Sequence, residues 1–252
     1  MGMAEGRRAV VTGAGRGMGQ ATVRRLLDEG ARVVAVDIDP KGLEALGGNP
    51  NVETVAADLS NPADRARVIE AGRADRLDFL VNAAAILGPR PFWEVTEDHF
   101  RRVFATNLES AWFLSLGLGQ HMNEGGAIVN FSSPSARSAS TTEAAVYAAT
   151  KTAIQSMTRS FAHALAPRKI RVNAVSPGIT DTPMQHEALE AMASNRGIPK
   201  DVIDEARVKS VPLGRWAPPE EIAGVVVWLL SDTASYITGQ VIYVDGGLIM
   251  SA

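Results

Sequence analysis

Seven short apolar runs alternate with longer segments of mixed polarity along the chain. The runs are rich in β-branched residues and apolar at most positions, which is typical of strands buried on both faces of a parallel sheet. They cover residues 8–12, 32–37, 52–57, 77–82, 127–132, 170–176 and 240–245. The intervening segments favour helices at residues 17–29, 61–72, 96–119, 145–166 and 219–230. Strands that alternate with helices predict an α/β fold, with helices on both faces of a parallel sheet.

One stretch, residues 177–218, is long and irregular. We expect one or two helices to interrupt it, because a loop of that length in a compact domain is usually functional or mobile. Residues 178–218 are interpreted as a substrate lid, formed by Met184, Met192 and the segment 185–207. This segment mixes apolar, acidic and basic residues, so it indicates no single substrate class.

The composition favours a protein that acts on a small molecule. The net charge is −3 and no long basic run is present, so neither nucleic-acid nor membrane binding is predicted. No apolar stretch reaches the roughly 18 residues of a membrane span, and the N-terminus lacks a signal-peptide core. We therefore expect a cytoplasmic protein. The chain has no cysteine, and its histidines lack ligand spacing, so no metal site is predicted. The histidines are His99, His121, His163 and His186.

A glycine-rich segment, residues 12–19, follows the first predicted strand and opens the first predicted helix. Glycines let a phosphate approach the backbone, and a helix N-terminus attracts anions through its N–H groups and dipole. We therefore predict a dinucleotide site here, with Gly13, Arg16 and Met18 among its contacts.

The residues after the next two strands bear on the choice of cofactor. Asp37 lies 24 residues after Gly13, where an acidic side chain can accept hydrogen bonds from the adenosine ribose. It would repel a 2′-phosphate, so NAD is predicted rather than NADP. Arg16 favours the opposite choice if it pairs with that phosphate, and has no bearing if it is solvated. Asp58 and Leu59 are adenine contacts or, equally, an ordinary polar strand end.

Tyr147 and Lys151 are four residues apart and share one face of a predicted helix. A free phenol, with a pKa near 10, is a poor acid or base at neutral pH. A neighbouring ammonium group favours the phenolate and lowers that pKa. The pair is therefore a candidate for acid–base chemistry.

Several short motifs occur in a specific order along the chain. They are Thr12-Gly13-x-x-x-Gly17-x-Gly19, Asp58, Asn82-Ala83-Ala84-Ala85, Asn107, Ser132-Ser133, Tyr147-x-x-x-Lys151, Pro177-Gly178 and Val244-Asp245-Gly246-Gly247. With these motifs the chain resembles the short-chain dehydrogenases/reductases of the classical type over nearly its whole length. The resemblance implies one Rossmann-like, doubly wound domain over residues 1–252. It implies the strand order 3-2-1-4-5-6-7, with the cofactor across the carboxyl edge of the sheet.

The resemblance also implies a catalytic quartet. Tyr147 would be the general acid/base, and Lys151 would hold the nicotinamide ribose and lower the pKa of Tyr147. Asn107 would link Lys151 to a proton path through water. Ser133 would hydrogen-bond the substrate oxygen. Ser135 is the alternative serine, because the usual spacing to the tyrosine falls between the two; one extra residue between positions 138 and 146 would fit Ser133.

Further cofactor contacts follow from the same resemblance. They are Asn82, Pro177, Thr180 and Thr182, in addition to Tyr147 and Lys151. Thr182 would meet the nicotinamide amide or the phosphates, and the backbone of Thr180 the amide. Ala85 replaces a glycine of the family pattern, which predicts a slight backbone shift rather than lost binding.

The implied activity is NAD-dependent interconversion of a secondary alcohol and its ketone, with a sugar, a polyol or another small hydroxy compound as substrate. The alternatives are an NADPH-dependent carbonyl or 3-oxoacyl-thioester reductase and a non-catalytic NAD(H)-binding protein. Arg137 either meets an anionic substrate or is a solvated loop residue. The expected assembly is a homotetramer, with the helices that carry Asn107 and Tyr147 at one interface.

Overall fold

The computed structural model describes residues 2–138 and 142–250. Its sheet has seven parallel strands. In chain order these are β1 (Arg8–Thr12), β2 (Arg32–Asp37), β3 (Val52–Ala56), β4 (Phe79–Asn82), β5 (Ala127–Phe131), β6 (Arg171–Pro177) and β7 (Val241–Val244). The order across the sheet is β3-β2-β1-β4-β5-β6-β7. The predicted fold class and strand order are confirmed. The sequence analysis places one extra residue between positions 138 and 146 to fit Ser133. Residues 139–141 of that segment lie outside the described residues.

The side chains at the centre of the sheet are buried. Val10 of β1 pairs with Val34 of β2 on one side and with Leu80 of β4 on the other, and all three are buried. β2 and β3 lie on one side of β1, whereas β4 and the later strands lie on its other side, so the strand order reverses between β1 and β4. A parallel sheet opens a crevice at the carboxyl ends of the strands at such a reversal.

Nine α-helices cover the sheet within the described residues. They are α1 (Gly17–Asp28), α2 (Pro40–Glu44), α3 (Pro62–Arg73), α4 (Glu97–Phe104), α5 (Ser110–Gly119), α6 (Ala145–Leu165), α7 (Pro183–Arg196), α8 (Lys200–Lys209) and α9 (Pro219–Leu230). One face of the sheet packs against α1 and α9, through residues such as Leu26 and Val226. The other packs against α3, α5 and α6, through residues such as Leu114 and Ile154. The domain is therefore doubly wound, as the sequence predicts.

The predicted helix at residues 96–119 is interrupted. A π-helical turn, Ala105–Glu109, separates α4 from α5 and carries Asn107. The Asn107 side chain accepts a hydrogen bond from the Ile86 N–H at 2.8 Å and donates one to the Ile86 carbonyl at 2.9 Å. Single π-turns inside α-helices frequently occur at functional sites. This turn directs the Asn107 side chain onto the segment after β4.

The long segment after β6 contains two helices, as expected. Its ends meet where Thr180 forms an isolated parallel bridge with Ala217. Between them, Leu189 and Met192 of α7 pack with Ile203 of α8 in a small cluster separate from the two main cores. Among the residues that the structure describes, no helix is both long enough and apolar enough to cross a bilayer.

Candidate active site

Two neighbouring cavities open at the carboxyl edge of the sheet. The first, about 190 Å³, is lined by the glycine-rich segment together with Asp37, Asp58 and Leu59. The second, about 270 Å³, is lined by Ser133, Tyr147 and Lys151 among others. They share five wall residues and so form one continuous crevice. The shared residues are Met18, Ala83, Ala85, Thr182 and Met184.

The backbone of the glycine-rich segment is tightly packed at the start of α1. Gly13 has a φ of +67°, and a Cβ there would lie 2.9 Å from Ala84 Cα. A Cβ at Gly19 would lie 2.0 Å from the Gly13 carbonyl oxygen. Only glycine fits at both positions. Glycine at these two positions therefore lets the segment pack closely against the backbone after β4 and against itself.

Asp37 is positioned by backbone donors at the end of β2. Its Oδ2 accepts a hydrogen bond from the Gly15 N–H at 2.8 Å, and its Oδ1 accepts one from the Asp39 N–H at 2.9 Å. The carboxylate thus faces the first cavity from beneath the glycine-rich segment.

Arg16 lies in the same wall, but its charge is already paired. Its Nη1 lies 2.5 Å from Oε1 of Glu187, on α7, and both side chains are about half exposed. This ion pair connects the glycine-rich segment to the segment predicted to be a lid.

Three of the predicted site residues lie behind the cavity walls. Asn82 is buried and donates to Asn130 Oδ1 at 2.8 Å and to Ser115 Oγ at 3.1 Å, which ties β4 to β5. Asn107 and Thr180 are also buried, and neither lines the two cavities. Pro177 and Thr182 do line the second cavity. Asn82, Asn107 and Thr180 are therefore not part of the walls of these two cavities.

Ser133, rather than Ser135, contacts Tyr147. Ser133 and Tyr147 line the same cavity, and the Ser133 side chain acts on the phenol as a hydrogen-bonding group that lowers the pKa of Tyr147. Ser133 Oγ also accepts a hydrogen bond from the Ser135 N–H at 3.2 Å. Ser135 lines the same cavity. The two candidate serines therefore differ in position. Ser133 acts on the Tyr147 phenol, whereas Ser135 lines the cavity without affecting that phenol.

The pKa of Tyr147 differs from the expectation. Burial raises it to about 12, and the Ser133 hydrogen bond only partly opposes that shift. The ammonium nitrogen of Lys151 lies 5.4 Å from the ring centroid of Tyr147 and donates to the Phe131 carbonyl at 2.7 Å. Burial also lowers the pKa of Lys151 to about 7. In the protein alone the pKa of Tyr147 therefore lies above its ordinary value, because desolvation of the buried phenol outweighs the groups that favour the phenolate.

Thr150 is a residue of this network that the sequence reasoning missed. Asn107 Nδ2 donates to Thr150 Oγ1 at 3.3 Å, and the same hydroxyl donates to the Tyr147 carbonyl at 2.7 Å. Asn107 therefore reaches the helix of Tyr147 and Lys151 through Thr150. No motif marks this threonine, which lies inside the Tyr147-x-x-x-Lys151 spacing.

Comparison with known proteins identifies the family. The family model described as Enoyl-(Acyl carrier protein) reductase matches residues 13–249. The L-xylulose reductase of Bos taurus is 38% identical over 97% of each chain. The chain belongs to the short-chain dehydrogenase/reductase family. It is accordingly an oxidoreductase of Rossmann-like fold.

Solved members of the family support the same assignment. The glucose/ribitol dehydrogenase-type member from Brucella melitensis has a TM-score of 0.88 at 34% identity, with 100% of both chains covered. A 3-ketoacyl-(acyl-carrier-protein) reductase from the same organism, complexed with NADH, has a TM-score of 0.85 at 32% identity. That match covers 98% of this chain and 100% of the solved one. Solved relatives hold NADH or NADPH.

Proposed function

We propose that this short-chain dehydrogenase/reductase interconverts a secondary alcohol and its ketone with NAD. The observation that carries the proposal is that Ser133, Tyr147 and Lys151 line one cavity, and that this cavity adjoins the one lined by the glycine-rich segment. A small, polar substrate such as a sugar or polyol is supported by the likeness to L-xylulose reductase.

The crevice fits a dinucleotide. It is continuous between the two cavities, its floor excludes a Cβ at Gly13 and Gly19, and Asp37 faces the end expected for adenosine ribose. Gly13, Met18, Asp58, Leu59 and Thr182 would line the cofactor. Lys151 would hold the nicotinamide ribose. When bound, oxidised nicotinamide supplies the hydride-accepting ring and a positive charge near the phenol.

Side chains of the protein transfer the proton of the substrate oxygen. Ser133 donates a hydrogen bond to the substrate oxygen and steadies the charge that develops on it. Tyr147 takes the proton of that oxygen during alcohol oxidation and returns it during ketone reduction. Burial raises the pKa of Tyr147 to about 12, so a positive charge near the phenol, such as that of oxidised nicotinamide, would make the phenolate more available. Asn107 and Thr150 hold the helix turn that presents Tyr147 and Lys151.

The preference for NAD is supported by two carboxylates. Asp37 would repel a 2′-phosphate at the position where NAD has a hydroxyl group. Arg16, the cation that could bind such a phosphate, is paired with Glu187. Both contacts lower the affinity expected for NADP.

The function is tested by incubating the purified protein with NAD or NADP and a panel of sugars, polyols and small secondary alcohols. The readout is the absorbance of the reduced nicotinamide. We expect turnover with NAD. A preference for NADP would contradict the role of Asp37, and tight NAD binding without turnover on the panel would favour the non-catalytic alternative.

A 3-oxoacyl-thioester reductase that uses NADPH is the second candidate, favoured by the likeness to the Brucella melitensis 3-ketoacyl reductase. It is tested by NADPH oxidation with a 3-oxoacyl thioester. A kcat/KM for that reaction above the value for every alcohol with NAD would select this candidate.

We also propose a homotetramer that buries one face of α5. Trp112, Phe113 and Leu116 are all more than two-fifths exposed on this short helix. A patch of large apolar side chains of this kind is a common mark of a protein interface. Light scattering on the purified protein tests it, and a monomeric mass would contradict the proposal.

A further inference from the structure

The wall of the cavity that contains Tyr147 and Ser133 includes Arg207 of α8. Its Nη2 donates to Gln185 Oε1 at 2.7 Å, and its guanidinium carbon lies 5.4 Å from the centroid of the Trp216 ring. Its Nη1 is fully buried and bonds to no partner among the described residues. A buried donor of a charged group left without a partner is costly unless a ligand satisfies it.

No carboxylate of the described chain neutralises this guanidinium at close range. Among the residues described as lining the cavity there is no Asp or Glu, whereas Lys151 adds a second basic side chain. Asp204, one turn earlier on α8, attracts Arg207 but accepts its hydrogen bond from Trp216 Nε1, at 3.0 Å. Burial lowers the pKa of Arg207, yet a guanidinium stays protonated in proteins. The cavity wall therefore carries a positive charge.

Other arginines near the site differ from Arg207. Arg16 is paired with Glu187. Arg137, the arginine for which the sequence allows contact with an anionic substrate, stacks over the Tyr243 ring at 5.9 Å and does not line this cavity. Of the three, Arg207 alone combines a position in the cavity wall with a buried nitrogen that has no partner.

We propose that Arg207 selects a substrate that carries a carboxylate, so that the natural substrate is a small hydroxy acid or its keto counterpart. This inference rests on the proposed oxidoreductase function and specifies its substrate. A carboxylate accepts charge-assisted hydrogen bonds from a guanidinium and balances its charge. The cavity wall also contains three serines, Ser135, Ser138 and Ser210. These polar side chains suit a hydroxylated carbon chain between the reacting carbon and the carboxylate.

The size of the cavity favours a compact acid. Its volume of about 270 Å³ lies near the lower end of ligand pockets, which span about 300–1,000 Å³. The nicotinamide ring must also enter this cavity for hydride transfer. Little room remains for a bulky ring system.

The test compares each acid with its amide, which keeps the shape and removes the charge. The pairs are gluconate and gluconamide, 3-hydroxybutyrate and 3-hydroxybutyramide, and lactate and lactamide, each assayed with NAD. We expect the wild-type kcat/KM to favour the acid of at least one pair by about 10- to 100-fold, the range of one charge-assisted hydrogen bond. Arg207→Met should remove that preference, and Arg207→Lys should restore part of it.

Two further variants separate charge from packing. Gln185→Glu keeps the guanidinium in place but gives it a carboxylate partner, so the acid-to-amide ratio should fall as it does in Arg207→Met. Arg137→Met, a nearby arginine outside the cavity wall, should leave the ratio unchanged. An unchanged ratio in both Arg207→Met and Gln185→Glu overturns the proposal, as does equal use of acid and amide by the wild type.

A binding measurement distinguishes this proposal from the proposed function. The melting temperature of the protein with NADH is measured with each acid and each amide. Stabilisation by an acid that Arg207→Met abolishes, without turnover, supports the anion site and contradicts the oxidoreductase. Turnover of neutral alcohols without stabilisation by any acid of the panel supports the oxidoreductase and overturns the anion site.

Discussion

Lys151 donates from its ammonium nitrogen to the backbone carbonyl of Phe131, the last residue of β5, at 2.7 Å. The side chain is buried and has no carboxylate partner among the described residues. A single carbonyl compensates little of the cost of burying a charge, so the pKa of Lys151 falls from 10.5 to about 7.

This pKa predicts how stability depends on pH. Between about pH 7 and pH 10 the unfolded chain binds the Lys151 proton more readily than the folded protein does, so folding stability from this group rises with pH. The free energy of unfolding of the wild type, minus that of Lys151→Met, should therefore increase across this window. The slope is at most about 1.4 kcal/mol per pH unit. Urea denaturation at several pH values measures it, and a flat or falling difference would show that Lys151 is not destabilised by burial.

Ser133 and Ser135 should differ sharply in their effect on turnover. Ser133 shares the cavity wall with Tyr147 and favours the ionised phenol, and removing a donor that steadies a developing charge costs about 10²- to 10³-fold in kcat. We expect a loss of that size in Ser133→Ala and less than tenfold in Ser135→Ala, measured as alcohol oxidation with NAD. A larger loss of turnover in Ser135→Ala than in Ser133→Ala would show that Ser135, and not Ser133, stabilises the developing charge.

The NAD preference should depend on two carboxylates. Asp37→Ser removes the charge that would oppose a 2′-phosphate, and Glu187→Gln releases Arg16 to meet it. We expect each change to lower the ratio of kcat/KM for NAD to that for NADP by about tenfold, with a larger effect in the double variant.

The control for Glu187 lies on the same helix. Glu190 pairs with Lys200 away from the crevice, so Glu190→Gln should leave the cofactor ratio unchanged. An equal shift of the cofactor ratio in Glu187→Gln and Glu190→Gln would mean that the net charge of α7, and not the ion pair with Arg16, sets the preference for NAD.

Asn107 should contribute to stability as well as to activity. Its side chain bonds both polar groups of the Ile86 backbone, and truncation would leave these partly buried groups without a protein partner. We expect Asn107→Ala to lower the free energy of unfolding by roughly 2–3 kcal/mol. Asn195, which is exposed on α7, is the matched control, and Asn195→Ala should change stability little. A stable Asn107→Ala variant would show that the π-helical turn forms without this side chain.

The sequence predicts the sheet well because buried parallel strands have uninterrupted apolar runs. The run around Val10 and Leu80 illustrates this, and the order of strands follows from the family resemblance. The π-helical turn at Asn107 could not be predicted, because the helical pattern of residues 96–119 continues through it. The Asn107 side chain that this turn carries bonds to Ile86, which only the folded chain brings near.

Site residues were predictable where a motif fixes them and not elsewhere. Tyr147 and Lys151 are placed by their helical spacing, but their pKa values depend on desolvation that no spacing shows. Arg207 lies in a segment of mixed charge, and only the path of α8 directs it into the cavity. Asn82 is predicted as a cofactor contact from its motif, and only the folded chain shows that its side chain also ties β4 to β5.

The role of Tyr147 is tested most directly by removing one oxygen atom. Tyr147→Phe should fold and bind NAD as the wild type does, and its turnover in NAD-linked alcohol oxidation should fall by about 10²- to 10⁴-fold, the contribution of a positioned acid/base. Tyr236, which is fully exposed, is the matched control, and Tyr236→Phe should retain full activity. Turnover by Tyr147→Phe within a few-fold of the wild type would contradict the central claim that this phenol exchanges the proton of the substrate.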